Sequence, residues 1–258
     1  MRRLAYVVSL LAVPLAAAAC GGGKSASTST ASLSDDPLAA VKDAARKTEQ
    51  AGSEHMKLLG RAVASTQTIV FKGSGDFDTK AHQGTMSVDF SASGVNGTID
   101  AVSDGAVVYV KSDLLAVMLP TGKTWVKVDL AKSAKAAGVG ISTFLSQDPT
   151  QSLTRLQGLR SVTKVGEAQL NGAATTHYRA RLDLSKLPGA ATPGTGRYDV
   201  WVGDDGYVHR VKAIVTTGGT TSTVTTDLSA FGDPVKVTVP AASQTFDGSN
   251  STIPGLGG

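Results

Sequence analysis

Cysteine is nearly missing from this chain: 258 residues hold one, Cys20. A single cysteine excludes an intramolecular disulfide framework and any zinc site built on a cysteine cluster. Aromatic residues make up 5% and charged residues 18% of the sequence, the latter below the roughly 25% usual for globular domains. Charge of one sign is also scarce. Lys and Arg number 25 against 21 Asp and Glu, a net +4 that falls to +2 without Arg2 and Arg3. So weak an excess argues against a nucleic-acid partner. The four histidines (His55, His82, His177, His209) form no His-x-x-x-His pair. No Gly-x-Ser-x-Gly elbow occurs, and no glycine-rich stretch joins a strand to a helix as a phosphate loop must. No catalytic residue, metal site or cofactor is expected, and the chain reads as a non-enzyme.

Long apolar runs are confined to the start. Leu4 to Leu15 follows Arg2 and Arg3 and precedes Ala16 to Ala19. The run is too short to span a hydrocarbon core of about 30 Å, but it has the charge, apolar stretch and small residues of a secretion signal. The lone cysteine closes it, which resembles a bacterial lipoprotein box: the peptide is cut before Cys20 and the thiol is acylated. Residues 1–19 are therefore read as signal peptide and Cys20 as the lipidation site. Two acyl chains anchor stably where one is marginal. Residues 20–33, Gly- and Ser/Thr-rich, form a tether with a reach of about 20 Å.

Ser34-Asp35-Asp36-Pro37 predicts a helix start, Leu38, Val41, Ala45 and Thr48 recur at helical spacing, and Gly52 ends the segment. From Met56 the period becomes two. About ten short strands follow, separated by turn residues such as Asp104-Gly105 and Gly218-Gly219. The gaps are too short for helical crossovers, so the sheet is antiparallel. Short helices are expected between Leu130 and Gly158, and no structure is expected in 241–258. Asp204-Asp205 reads as a turn, and His177 and His209 as solvated residues opposite apolar strand faces. The sum is one α+β domain over 34–240.

Apolar strand faces outnumber what the helices can cover. One reading is an ordinary core; the other is a strongly curved sheet with aliphatic room for acyl chains. Alternation nominates Met56, Leu58, Ile69, Phe71, Met86, Val88, Phe90, Tyr109, Leu115, Met118, Phe144, Leu156, Tyr178 and Leu182 as lining, and a register error of one would swap the set.

Several segments together resemble the actinobacterial LppX/LprG-type (LppX_LprAFG) lipoproteins. They are Tyr109-Val110-Lys111 after Asp104-Gly105, Thr124 to Leu130, Asp148-Pro149 with Leu153 and Leu156, Val165-Gly166 with Thr175 to Tyr178, Tyr198 to Val202, and Phe231 to Val237. The resemblance implies a LolA/LolB-like fold: a U-shaped antiparallel half-barrel, helices over its concave face, and a cavity for a lipid or glycolipid. It implies an extracytoplasmic, membrane-anchored monomer that carries lipid in the cell envelope, with an envelope transporter left open as handover partner. A non-transporting sensor or protein-binding module on the same fold stays open beside it.

Overall fold

The computed structural model describes residues 33–64, 67–130, 153–154, 156–157, 159–183 and 194–249. Helix α1 runs Pro37–Ala51. The Asp36 carboxylate accepts from the Leu38 backbone N–H at 3.0 Å, Pro37 takes the first helical position, and Gly52 closes the helix at φ 84°. Both ends therefore lie where the capping residues put them.

Twelve strands follow: β1 Ser53–Ala64, β2 Gln67–Asp78, β3 Gln83–Ala92, β4 Val95–Asp104, β5 Val107–Ser112, β6 Trp125–Asp129, β7 Val162–Leu170, β8 Ala173–Asp183, β9 Gly194–Gly203, β10 Val208–Thr217, β11 Thr220–Ser229 and β12 Thr245–Asp247. A one-turn helix, α2 Asp113–Ala116, joins β5 to β6. The strands form a single open sheet in the order β12-β6-β5-β4-β3-β2-β1-β11-β10-β9-β8-β7. All pairs are antiparallel except β12 with β6. Consecutive strands pair throughout β1–β6 and β7–β11, and the β1–β11 pair joins the two meanders. Tight turns set the registers. Ser93-Gly94 and Gly218-Gly219 both hold positive φ at two successive residues, the backbone of a two-residue hairpin loop.

The C-terminal expectation needs correction. Residues 241–249 are not a structureless tail. Thr245–Asp247 adds a parallel strand beside β6, with Phe246 opposite Val126 and Lys123 Nζ donating to the Ala242 and Ser243 carbonyls. Three residues leave too short a pattern for periodicity to register.

Candidate functional site: the inner face of the sheet

The register resolves the sheet into rows of side chains sharing one face, here called inner because α1 packs on it. One row runs Leu228, Met56, Gly75, Met86, Ala101, Val110 and Val126. The next runs Tyr178, Val200, Val211, Thr226, Leu58, Gly73, Val88 and Ile99. Beyond it come Ala180, Tyr198, Ala213, Val224, Gly60, Phe71, Phe90 and Gly97. The last row holds Gly196, Val215, Ser222, Ala62, Ile69, Ala92 and Val95. The opposite, outer face carries Lys57, Arg61, Lys72, Asp89, Asp100, Lys111, Lys127, Arg179, Arg197, Asp199, Arg210 and Asp227 at the alternate positions. A polar face backing an apolar one is what period two produces when one side is buried.

Two packed regions flank this face. Ala40, Val41, Ala44, Ala45 and Thr48 of α1 bury against Met56, Leu228, Val211, Val200 and Tyr178, with Leu153, Leu156 and Leu159. The Thr48 hydroxyl donates to the Ala44 carbonyl at 2.8 Å and accepts from the Val208 backbone N–H at 2.9 Å, pinning the helix to β10. Toward the other edge Val108, Val110, Val126 and Val128 pack with Leu115 of α2, and Phe246 of β12 leans on them.

Glycines shape the floor between. A Cβ on Gly75 would lie 2.0 Å from the Thr85 carbonyl oxygen, and one on Gly73 would lie 2.5 Å from that of Ser87. Both would point into β3 backbone on the inner side, so at this part of the curved sheet only glycine fits. Phe71 and Phe90 face each other across the β2–β3 pair. Phe71 covers Gly60, whose Cβ would meet it at 1.9 Å, and Phe90 covers Gly97 at 2.8 Å. Aromatic rings laid over glycines keep the floor low and apolar.

The nominated residues divide as follows. Met56, Leu58, Ile69, Phe71, Met86, Val88 and Phe90 share the inner face across β1–β3, and Tyr178 shares it on β8. Met56, Leu156 and Tyr178 belong to the α1-covered core, and Leu115 to the second core. Val88 is buried, Leu58, Phe71 and Phe90 are half-buried, and Ile69 is exposed. Met118 is exposed on the turn after α2. Tyr109 is a correction: it pairs with Val102 and Lys127 on the outer face. Val107 to Val110 is apolar at every position, so alternation could not choose a face, and the Val110–Ala101 register chose it. Phe144, the Leu182 side chain and the expected lipidation site Cys20 lie outside the described residues.

Sequence reasoning missed the glycines Gly60, Gly73, Gly75 and Gly97, because it sought side chains that would line a wall. Strand register would have found two of them, since Gly60 lies opposite Phe71 and Gly97 opposite Phe90.

The histidines also depart from expectation. His177 Nε2 lies 2.9 Å from Asp199 Oδ1, and its ring stacks on Trp201 at 4.3 Å. His209 bonds the Asp205 carboxylate at 2.9 Å. Neither is a plainly solvated residue. Asp199, 3% exposed, sits among Arg179 at 2.7 Å and Arg197 at 3.1 Å. Burial alone would push its carboxyl up, but the hydrogen bonds from Arg179 and His177 and the charges of Arg179 and Arg197 outweigh it and hold it below the usual range. Arg210 pairs with Asp227 through two nitrogens, which raises its already high value against the opposing effect of burial. These pairs tie β8 to β9 and β10 to β11 on the outer face. Among the described residues, no three His, Cys, Asp or Glu cluster as metal ligands, and no helix is long and apolar enough to cross a membrane.

A model of the LppX_LprAFG lipoprotein family matches residues 36–237. Among solved structures, LprF from Mycobacterium bovis aligns at 14% identity and a TM-score of 0.51, over 80% of this chain and 97% of its own. The lipoprotein LppX from Mycobacterium tuberculosis aligns at 16% identity and a TM-score of 0.46, over 78% and 97%. At this identity the LprF likeness speaks to the fold, an open curved sheet with few helices. No curated protein matches the sequence.

Proposed function

Since the chain belongs to the LppX_LprAFG lipoprotein family, we propose that it is anchored through Cys20 to the extracytoplasmic face of the cell membrane, binds a lipid or glycolipid on the inner face of its sheet, and carries that lipid within the envelope. The observation that carries this reading is the glycine-lowered floor. Apolar rows continue past the α1-covered core, through Leu58, Gly73 and Val88 and then Gly60, Phe71 and Phe90, to an end row where Ile69 and Val95 are exposed. Aliphatic chains need dispersion contact and no fixed geometry, which such a floor supplies. A sixteen-carbon chain gains about 12 kcal/mol gross at about 0.8 kcal/mol per methylene. A bilayer offers a similar sum, so exchange between the two is close to balanced and cargo can be released. The chemistry is binding, without a reaction step.

The test is direct. The full chain with Cys20→Ser is purified, extracted with organic solvent and weighed by mass spectrometry. One lipid per chain is expected, and Leu58→Trp should lower that ratio while leaving the melting temperature nearly unchanged. A chain free of lipid would sink the carrier and leave the sensor reading. Separately, Cys20→Ser should move the protein from the membrane to the soluble fraction; unchanged fractionation would sink the anchor.

A further inference from the structure

Large apolar side chains exposed to solvent concentrate at one end of the β1–β2 ribbon. Val63 and Val70 stand on its outer face, Ile69 on its inner face, and Val95 beside Ile69's neighbour Ala92 at the adjoining β3–β4 turn. They are 39%, 41%, 42% and 49% exposed. Scattered apolar residues on a surface need no explanation, but four at one end, on both faces of neighbouring hairpins, form a patch. The cations stand just behind them. Arg61 pairs with Val70 across the ribbon, and Lys72 pairs with Leu59, itself 58% exposed and flanked along the strand by Lys57 and Arg61. Two carboxylates stand beside these cations: Asp89, 3.8 Å from Lys72, and Asp227, opposite Lys57 and paired with Arg210. The end row of the inner face, Ala62–Ile69–Ala92–Val95, runs into this patch without a polar break.

We propose that this end of the β1–β2 ribbon, with the β3–β4 turn, docks on an anionic bilayer surface, so that the apolar rows open directly toward the membrane. The proposal rests on the carrier reading and adds the surface through which lipid would pass. An apolar tip backed by cations matches the layering of an anionic bilayer: acyl chains below, phosphate above. Lys and Arg stems can lie along the apolar patch while their heads reach the phosphates. A protein partner of ordinary polarity would match the apolar tip but not the cations behind it on the outer face.

The experiment places an environment-sensitive dye on a single introduced cysteine in the full chain carrying Cys20→Ser. One version bears Val95→Cys at the proposed tip. The other bears Asp204→Cys in the exposed β9–β10 turn at the far end of the strands. Vesicles of phosphatidylcholine are compared with vesicles that also contain phosphatidylglycerol. The dye at 95 should shift to the blue on the anionic vesicles only, and the dye at 204 should not shift. Arg61→Gln with Lys72→Gln should weaken that response by about 25-fold, at about fivefold per cation lost near a charged surface. About 1 M salt, which screens charges beyond about 3 Å, should do the same. An equal shift at both positions, or none at 95, would overturn the proposal. So would a shift at 95 that grows with protein concentration and needs no vesicles, which would make the patch a contact between two copies. Lipid found by mass spectrometry with no response at 95 would leave the carrier standing and remove the docking surface alone.

Discussion

The half of the sheet under α1 and the stretch from Leu58 to Phe90 share one apolar face but close it differently. Under α1, three buried leucines and the helix stripe Ala40, Val41, Ala44, Ala45 fill the space over Met56, Val200 and Val211. On the outer face of that half, Asp199 ties β8 to β9 and Asp227 ties β10 to β11 through arginines. Over β2 and β3, glycine replaces bulk: Gly73 and Gly75 let the sheet bend, and the rings of Phe71 and Phe90 reach over Gly60 and Gly97. One region is built to be full and the other to be bent and low. Buried packing is concentrated in the first.

Truncation should separate them most sharply. Met56→Ala empties a site that is 3% exposed and surrounded by α1, Leu228 and Tyr178. It should cost about 3 kcal/mol in chemical denaturation. Ile69→Ala on the same face of the next strand should cost less than about 0.5 kcal/mol. Comparable losses at the two sites would erase the distinction. The bend comes next. Gly75→Ala forces a Cβ toward the Thr85 carbonyl at 2.0 Å, so β2 and β3 must separate. Overpacking of that kind costs about 2 kcal/mol. Because the bend itself changes, lipid content per chain should also fall. A variant with native stability and native lipid content would show that the bend does not depend on this glycine.

These contrasts mark how far the sequence could be read. Capping residues and proline placed both ends of α1, because Asp36 and Gly52 act locally. Alternation gave the inner face wherever a strand mixes apolar and polar residues, as in Met86-Ser87-Val88-Asp89-Phe90. It failed at Tyr109, where both faces are apolar and only pairing with β4 decides. It could not see β12, since a three-residue strand is stabilised by its partner and not by its own pattern. The histidines were misplaced for a similar reason: His177 owes its surroundings to Asp199 and Trp201 on β9, contributed from 22 and 24 residues away in a register set by hairpins. The glycine floor was legible in composition but not in role, because a glycine's neighbours across the sheet decide whether it is a turn or a bend.

The outer-face lock predicts a smaller, pH-dependent effect. Asp199→Asn keeps the shape but removes the charge between Arg179 and Arg197, whose side chains are 36% and 42% exposed and can take up water in compensation. The cost at neutral pH should be about 1 kcal/mol, at the low end for a buried carboxylate, or a fall of about 2–4 °C in Tm for a domain of this size. The carboxyl's folded pKa lies below its unfolded value near about 3.9. Its contribution is therefore complete above that value and disappears as pH falls through the folded one. The difference in Tm between the parent and Asp199→Asn should stay constant from neutral pH down to about 4 and narrow below it. A difference that grows on acidification would contradict the sign of that linkage.

The smallest effect is expected at Tyr178, where the α1 core meets the candidate floor. Burial pushes its phenol above the ordinary value, against a hydrogen bond with the Thr176 side chain that lowers it. The neutral phenol is thus favoured in the folded chain, and stability is lost as pH rises from about 10 through the raised folded value. Tyr178→Phe should remove that alkaline loss and cost about 0.5–1 kcal/mol at neutral pH for the hydrogen bond. If Tyr178 belonged to an open, wetted floor, its phenol would titrate as a free one and Tyr178→Phe would leave the alkaline limb unchanged. A spectrophotometric titration of tyrosinate in the parent and in Tyr178→Phe decides between them. A group missing from the late, high-pH part of the curve in the variant places Tyr178 with the full region.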